Sequence, residues 1–260
     1  RQRQLCIRDR AGIGTPISTF FGTAIYIVLA LRHAKGTGFL RRIGDRKTMG
    51  TLLRLSIPAG TQSFFFATGM TVFFWIIGRI GTAELAASNV LVQLLLVAIL
   101  PGVGFGLAAA SLVGQALGRG DREDAVTWGW DVSRLAMVMV GTGALVVVIA
   151  PDLLLGIFLH EEQTIELARF PLRLLGATMV VETLGSVLMN ALLGAGASKK
   201  VMLVSVTLQW GLFLPVAFLI GPVLGYGMSA VWAAQVGYRC LQGLIFAAIW
   251  RRRQWTSFEV

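Results

Sequence analysis

Residues 168–193 read ARFPLRLLGATMVVETLGSVLMNALL, and beyond Arg173 this run holds one ionisable residue, Glu182. A helix that crosses about 30 Å of hydrocarbon needs about 20 predominantly apolar residues. The run has that length and composition, which predicts a transmembrane helix. The same kind of run recurs along the chain, and this recurrence decides the fold.

The composition excludes a water-soluble domain. The chain of 260 residues is 55% hydrophobic and only 14% charged, and its mean hydropathy is +0.73. Soluble domains carry about 25% charged residues. The apolar runs are too long for barrel strands of about 10 residues. We predict an all-α, polytopic membrane bundle of seven helices: Thr15–Leu31, Leu52–Ile77, Ala86–Leu117, Trp130–Ala150, Ala168–Leu193, Val201–Ile220 and Tyr226–Trp250.

A weak internal repeat indicates the domain organisation. Gly12-Ile13-Gly14 precedes the first predicted helix, and Gly225-Tyr226-Gly227 precedes the seventh, 213 residues later. This spacing fits a protein of two parallel six-helix lobes. Because the chain has no initiator methionine, we expect a missing N-terminal lobe of the same protein to be its partner. The predicted domains are residues 1–50 (last helix of that lobe and a cytoplasmic loop), 51–250 (a six-helix lobe) and 251–260 (a cytoplasmic tail).

The basic residues predict the orientation. Lys and Arg are frequent in the loops after the first, third and fifth predicted helices and after the seventh, whereas the opposite loops hold Arg79, Arg169 and Arg173. The positive-inside rule therefore places the C-terminus in the cytoplasm. We expect a multi-pass protein of the cell membrane, as in a bacterial inner membrane. The net charge of +10 fits contact with anionic lipid headgroups, and the bilayer rather than nucleic acid is the expected partner.

One predicted helix carries a polar face. Thr178, Glu182, Ser186 and Asn190 follow one another at intervals of four residues and so lie on one side of a helix. An ionisable group at this depth costs at least about 2.5 kcal/mol and usually faces a partner or a water-filled cavity. Glu182 is therefore a candidate functional residue. The alternative is a structural glutamate that neighbouring helices satisfy.

A second charge lies at similar depth. Arg239 is separated from Arg251 by about 18 Å of helix rise, too deep for the side chain to reach water easily. Gln235, Arg239 and Gln242 form a polar stripe on the seventh predicted helix. Arg239 therefore faces a wet cavity or a carboxylate partner, or it bonds to the carbonyls of a helix end. Isolated polar residues on other helices form either interhelical hydrogen bonds or part of the same cavity. The candidate cavity-lining residues are Gln62, Asn89, Gln93, Thr178, Ser186, Asn190, Gln209 and Arg239.

The histidines and acids do not indicate an enzyme. His33 and His160 fall in loops that the topology places on opposite sides of the membrane. No Cys/His spacing typical of a metal site is present, and Glu182 has no second acid at its depth. We therefore expect neither catalysis nor a resident cofactor.

Several motifs resemble the multidrug and toxic compound extrusion (MATE) family. They are IGTAELAASN at 80–89 followed by Gln93, GLAAASLVGQALG at 106–118, NALLGAG at 190–196, and Gly225-Tyr226-Gly227 with Trp232. The resemblance covers essentially the whole chain. It equates the first predicted helix with the family's sixth helix and the other six with its seventh to twelfth.

The resemblance implies a function. Family members are twelve-helix antiporters that export organic cations and other drugs in exchange for protons or sodium ions. Glu182 matches an acidic residue in the tenth helix of one branch, so the resemblance implies that it binds the coupling ion, a proton or sodium. That branch has a second acid eight residues after a proline, and counting from Pro58 gives Phe66 here. A related flippase for lipid-linked or polysaccharide intermediates is the alternative, and it would need a cavity rich in cationic side chains.

Overall fold

The computed structural model describes residues 18–29, 31–32, 46–158, 162–253 and 255. Within these residues the secondary structure consists of helices and short turns, which confirms the predicted all-α class. Gly12-Ile13-Gly14, His33 and His160 lie outside the described residues. The helices are α1 (Ser18–Leu29), α2 (Arg46–Ile80), α3 (Thr82–Gly118), α4 (Arg122–Ile149), α5 (Pro151–Phe158), α6 (Glu162–Gly194), α7 (Ser198–Val206), α8 (Leu214–Phe218) and α9 (Gly227–Arg251).

The described residues hold a helix at each of the seven predicted positions, but not every one of these helices is long and apolar enough to cross a membrane. In the described part of the chain, five are long and apolar enough to cross a bilayer: Thr48–Ile80, Leu100–Gly118, Arg122–Ile149, Thr164–Gly194 and Ser198–Val223. The described part of α1 is too short. Helix α9 has 25 residues, but Gln235, Arg239 and Gln242 reduce its hydropathy.

Helix α5 corrects the prediction of a loop between α4 and α6. Pro151 is its first residue, where the missing amide hydrogen of proline costs no helical hydrogen bond. Leu155 is fully buried, and α5 packs against α6. The eight-residue helix is too short to appear as a membrane-length run, so the sequence pattern did not reveal it.

The chain forms two compact units, Arg1–Thr51 and Leu52–Val260. The assignment of these segments to two transporter lobes stays a prediction.

Helix α6 is central to the second unit, because α3, α4 and α9 all pack against it. Small residues permit the contact with α3. A Cβ atom at Gly194 would overlap the backbone of Ala110, and one at Gly106 would lie 2.7 Å from the amide nitrogen of Asn190. Close approach of membrane helices depends on such small residues. The position of α6 places Glu182 in the interior of the bundle.

The helical run Ser198–Val223 contains two π-helical segments, Thr207–Phe213 and Leu219–Val223. At the end of the first, the Leu214 amide donates to the Gln209 carbonyl, five residues earlier. Pro215 follows, and a proline ring clashes with the carbonyl four residues before it. A wider turn relieves this clash. The sequence predicted one helix over 201–220, and the structure adds this local widening.

Candidate functional site

Glu182 and Arg239, the charged residues that the sequence places at mid-depth in α6 and α9, form an ion pair. Arg239 Nε donates to Glu182 Oε1 over 2.8 Å, and Arg239 Nη2 lies 2.7 Å from the same oxygen. The side chains are largely buried, with exposed fractions of 15% for Glu182 and 23% for Arg239. The structure thus selects the carboxylate partner among the alternatives for Arg239, rather than helix-end carbonyls.

Two glycines bring the helices of the pair together. Gly185 lies three residues after Glu182 on α6, and Gly243 lies four residues after Arg239 on α9. A Cβ atom at Gly185 would lie 2.5 Å from the Gly243 Cα, closer than real Cβ atoms approach. The backbones of α6 and α9 therefore cross about one helical turn from the ion pair. This close approach lets the Glu182 side chain, which is shorter than that of arginine, reach the Arg239 guanidinium.

Hydrogen bonds extend the pair to a third helix. Arg239 Nη1 donates to Gln242 Oε1 over 3.1 Å, and Gln242 Nε2 donates to Ser205 Oγ over 3.1 Å. Gln242 and Ser205 are both buried. A continuous polar chain thus connects α6, α9 and α7. Gln242 belongs to the polar stripe predicted on this helix, because its spacing of three from Arg239 places both on one face, but it was not among the predicted cavity-lining residues.

A cavity of about 250 Å³ adjoins the pair. Among the described residues that line it, Glu182 and Arg239 carry the formal charges, and these cancel. Gln235 Oε1 is buried there and accepts no hydrogen bond from any described residue. The walls are aromatic and aliphatic, and include Phe66, Met70, Phe73 and Trp232. The arrangement combines an ion pair, an unused acceptor and an apolar surface.

Three of the predicted site residues, Thr178, Glu182 and Arg239, line this cavity. The Thr178 hydroxyl donates to the Leu174 carbonyl of its own helix over 2.8 Å. Ser186 lies on the other side of the ion pair, in a recess of about 20 Å³ that Gln242 also lines. The predicted polar face of α6 therefore meets the pair from two sides.

The structure does not bring the remaining predicted residues to this cavity. Asn89 and Gln93 are exposed on α3, and Asn89 Nδ2 donates to the Leu85 carbonyl over 2.9 Å. Asn190 Nδ2 similarly donates to the Ser186 carbonyl over 2.9 Å. Gln62 Nε2 contacts Met189 Sδ at 3.5 Å. Short amide side chains readily bond the carbonyl four residues earlier. Their contribution to a substrate cavity stays a prediction.

Gln209 joins two helices instead of lining the cavity. Its Nε2 donates to the Phe66 carbonyl over 3.3 Å, and the neighbouring Trp210 Nε1 donates to the Phe65 carbonyl over 3.1 Å. A Cβ atom at Gly69 would overlap the Gln209 side chain. The first π-helical segment is therefore attached to α2 by two consecutive side chains, and a glycine provides the space.

Phe66 stands where the resemblance leads us to expect a second acid. Phe66 lines the same cavity as Glu182, and its correspondence to a partner acid stays a prediction. An aromatic ring there leaves Glu182 as the cavity's one carboxylate among the described residues. Arg239 neutralises it from α9.

A comparison with protein families decides the assignment. The family described as MatE matches residues 58–219, which include α3, α4 and α6 and most of α2 and of the run Ser198–Val223. The chain belongs to the MatE family. This confirms the resemblance inferred from the motifs.

Curated MatE relatives support this membership along most of the chain. A probable multidrug resistance protein NorM from Thermotoga maritima is 25% identical over 255 residues, covering 94% of this chain and 54% of the relative. A protein of the same name from Pseudomonas aeruginosa is 29% identical over 241 residues, which cover 87% of this chain and 46% of the relative. The chain thus spans about half the length of the curated relatives it matches.

Solved structures show the same fold. A MATE protein in a straight conformation superposes with a TM-score of 0.80 at 17% identity, over 90% of this chain and 53% of that chain. A MOP superfamily transporter from Pyrococcus furiosus gives a TM-score of 0.72 at 23% identity, over 85% of this chain and 48% of that chain. The latter is described as having a binding pocket of reverse polarity, which suggests a different function for that protein.

Proposed function

We propose that this MatE chain forms part of a secondary active antiporter that exports drugs, organic cations among them, in exchange for protons or sodium ions. Family membership and the multidrug resistance names of the relatives support a transporter rather than an enzyme. The proposed partners are the remaining lobe of the transporter, organic cations and the lipid bilayer.

The observation that carries the proposal is the Glu182 carboxylate, close to the middle of a membrane-spanning helix and beside a cavity. A proton on Glu182, or a sodium ion beside it, changes the net charge of the ion pair from zero to +1. An organic cation in the cavity is then repelled. Ion uptake and drug release are coupled in this way, and the conformational shift is limited by the ion's differential affinity for the two states.

Because Phe66 stands where the resemblance implies a second acid, it affects how many coupling ions the cavity can bind. With one carboxylate among the described lining residues, the cavity offers one anionic group, Glu182, to an added cation. For sodium, side-chain oxygen ligands among the described lining residues are the Glu182 carboxylate, Gln235 Oε1 and the Thr178 hydroxyl, and oxygen atoms are the ligands that hard cations prefer. A proton needs Glu182 alone.

The alternative of a flippase for lipid-linked intermediates has less support from this geometry. Such a cavity should present cationic side chains to anionic substrates. Here Arg239 is the one cationic lining residue in the described part of the cavity, and Glu182 already neutralises it. The observed polarity favours drug export.

Dye efflux from cells that express the complete transporter tests the role of Glu182. We expect E182Q, which keeps nearly the same volume and a hydrogen-bond acceptor toward Arg239, to abolish ion-coupled ethidium efflux at matched membrane abundance. E182D should retain part of it with a shifted dependence on external pH. The control D131N, at an exposed surface acid, should be unaffected. Wild-type efflux and ion dependence in E182Q would contradict the proposal.

The proposed location is a bacterial inner membrane with the C-terminus in the cytoplasm, supported by the distribution of Lys and Arg. Lys199 and Tyr226 are exposed near opposite ends of the run Ser198–Val223. In intact cells, an impermeant thiol reagent should label Y226C but not K199C, each introduced into a background without other cysteines. The reverse labelling pattern would overturn the orientation.

A further inference from the structure

We propose that Arg239 is a tethered cation that occupies Glu182 in the empty site and competes there with external cations. Displaced by a drug or a coupling ion, its guanidinium moves to the buried amide oxygen of Gln235. The inference deepens the proposed function, on which it rests for its role in transport. It assigns to Arg239 a role in setting the affinity for organic cations.

The first argument is the geometry of the ion pair. A strong arginine–carboxylate pair places two nitrogens against two oxygens. Here Nε and Nη2 both approach Glu182 Oε1, at 2.8 and 2.7 Å. The contact therefore converges on one carboxylate oxygen. Such a pair neutralises the charge without the two parallel bonds that would fix it most firmly.

The second argument is the presence of another acceptor in the same cavity. Gln235 lies four residues before Arg239 on α9, so the two share a helix face, and helical side chains lean toward the N-terminus. Gln235 Oε1 is buried, lines the same cavity and accepts no hydrogen bond within the described chain. Burial of an unused acceptor is unfavourable. A displaced guanidinium would satisfy it.

The third argument is the bond that keeps Arg239 near the site. Nη1 donates to Gln242 Oε1, and Gln242 is itself held by Ser205. This anchor lies on the opposite side of Arg239 from Gln235 along α9. The guanidinium can therefore exchange its contact with Glu182 while Gln242 limits how far it travels.

The fourth argument is the space beside the pair. A cavity of about 250 Å³ lies next to Glu182, with Phe66, Phe73 and Trp232 in its walls. Aromatic ring faces attract cations. Because the ion pair has no net charge, a drug cation gains full attraction from the carboxylate only after Arg239 has moved. Occupation of Glu182 by the arginine and by the drug is therefore mutually exclusive.

Equilibrium binding of tetraphenylphosphonium to the purified 260-residue chain in lipid nanodiscs, at pH 9, tests the inference. If Arg239 leaves the Glu182 carboxylate free for about a tenth of the time, removal of the arginine should lower the dissociation constant for tetraphenylphosphonium about tenfold. We expect this gain for R239Q. R239K keeps a tethered charge and should bind within about twofold of the wild type. E182Q and the double variant E182Q/R239Q should both bind weakly, because the carboxylate is lost.

A second variant keeps the test decisive if R239Q does not fold. Q235L removes the acceptor to which the guanidinium moves but leaves the ion pair intact. We expect tetraphenylphosphonium to bind several-fold more weakly to Q235L than to the wild type. The matched control Q115L changes an exposed amide on α3 and should leave binding unchanged.

The outcomes separate this inference from the proposed function. Equal or weaker binding by folded R239Q, or unchanged binding by Q235L, would overturn the tethered cation even if E182Q abolishes efflux. Tighter binding by R239Q together with normal efflux by E182Q would support the tether and refute the coupling role of Glu182.

Discussion

Two ion pairs of this protein have the same length but lie in different surroundings. Glu182–Arg239 lies inside the bundle, with exposed fractions of 15% and 23%, and Arg119–Asp124 lies at the junction of α3 and α4, with 59% and 34%. Nitrogen and oxygen are 2.7 Å apart in both pairs. Water screens the exposed charges, and the bundle does not. The distance between nitrogen and oxygen therefore does not show which pair contributes more to stability.

The largest effect should come from breaking the interior pair on one side. E182L leaves the Arg239 guanidinium buried without a counter-charge, which costs about 3–5 kcal/mol of folding free energy. The double variant E182L/R239L removes both charges and should recover most of this loss. The measurement is SDS-induced unfolding of the purified chain. A double variant less stable than E182L would refute this account of the pair.

The helix crossing beside the interior pair should be the next most sensitive position. In G185A the new methyl group meets the backbone at Gly243, so α6 and α9 must separate, at a cost of about 1–3 kcal/mol. The matched control G237A adds the same group on α9, where no atom lies within 4 Å. SDS titration should show a loss for G185A alone. Equal behaviour of the two variants would contradict the close crossing.

A smaller effect is expected where α2 meets the first π-helical segment. G69A pushes the flexible Gln209 side chain away and breaks its hydrogen bond to the Phe66 carbonyl, at a cost of about 1 kcal/mol. G60A on the same helix enters open space and is the control. Tryptophan fluorescence during SDS unfolding provides the readout. A G69A variant as stable as G60A would show that the bond contributes little.

The smallest effect should come from the exposed pair. R119A removes a salt bridge that water and salt screen, so the expected loss is between 0 and about 1 kcal/mol. When the unfolding titration is repeated at high salt, the difference in stability between R119A and the wild type should become smaller still. A loss as large as that of E182L would remove the contrast between the two pairs.

The fold was predictable because membrane length and apolar composition are local properties. The described residues hold a helix at each of the seven predicted positions, five of them long and apolar enough to cross a bilayer, and the motifs led to the correct family. Features shorter than a membrane span were not predictable in this way. Helix α5 has eight residues, and the π-helical turns depend on how a proline is accommodated within a packed helix.

The site was predictable residue by residue but not as an arrangement. Glu182 and Arg239 each stand out because a charge inside an apolar helix is costly. Their pairing depends on the rotation of α6 and α9 and on the close approach at Gly185 and Gly243, which residue type does not encode. The amides illustrate the converse, since Asn89 has a favourable residue type but bonds to its own helix.

The π-helical segment Thr207–Phe213 has a mechanical consequence. One residue corresponds to about 100° of rotation in an α-helix, and a π turn contains one extra residue. Moving that residue along the chain turns one end of the helix against the other without breaking it. Ser205, which ends the polar chain from Glu182, lies just before the segment, and Gln209 and Trp210 attach the segment to α2. A shift of the extra residue toward Ser205 would therefore turn Ser205 relative to the part of the helix that Gln209 and Trp210 attach to α2.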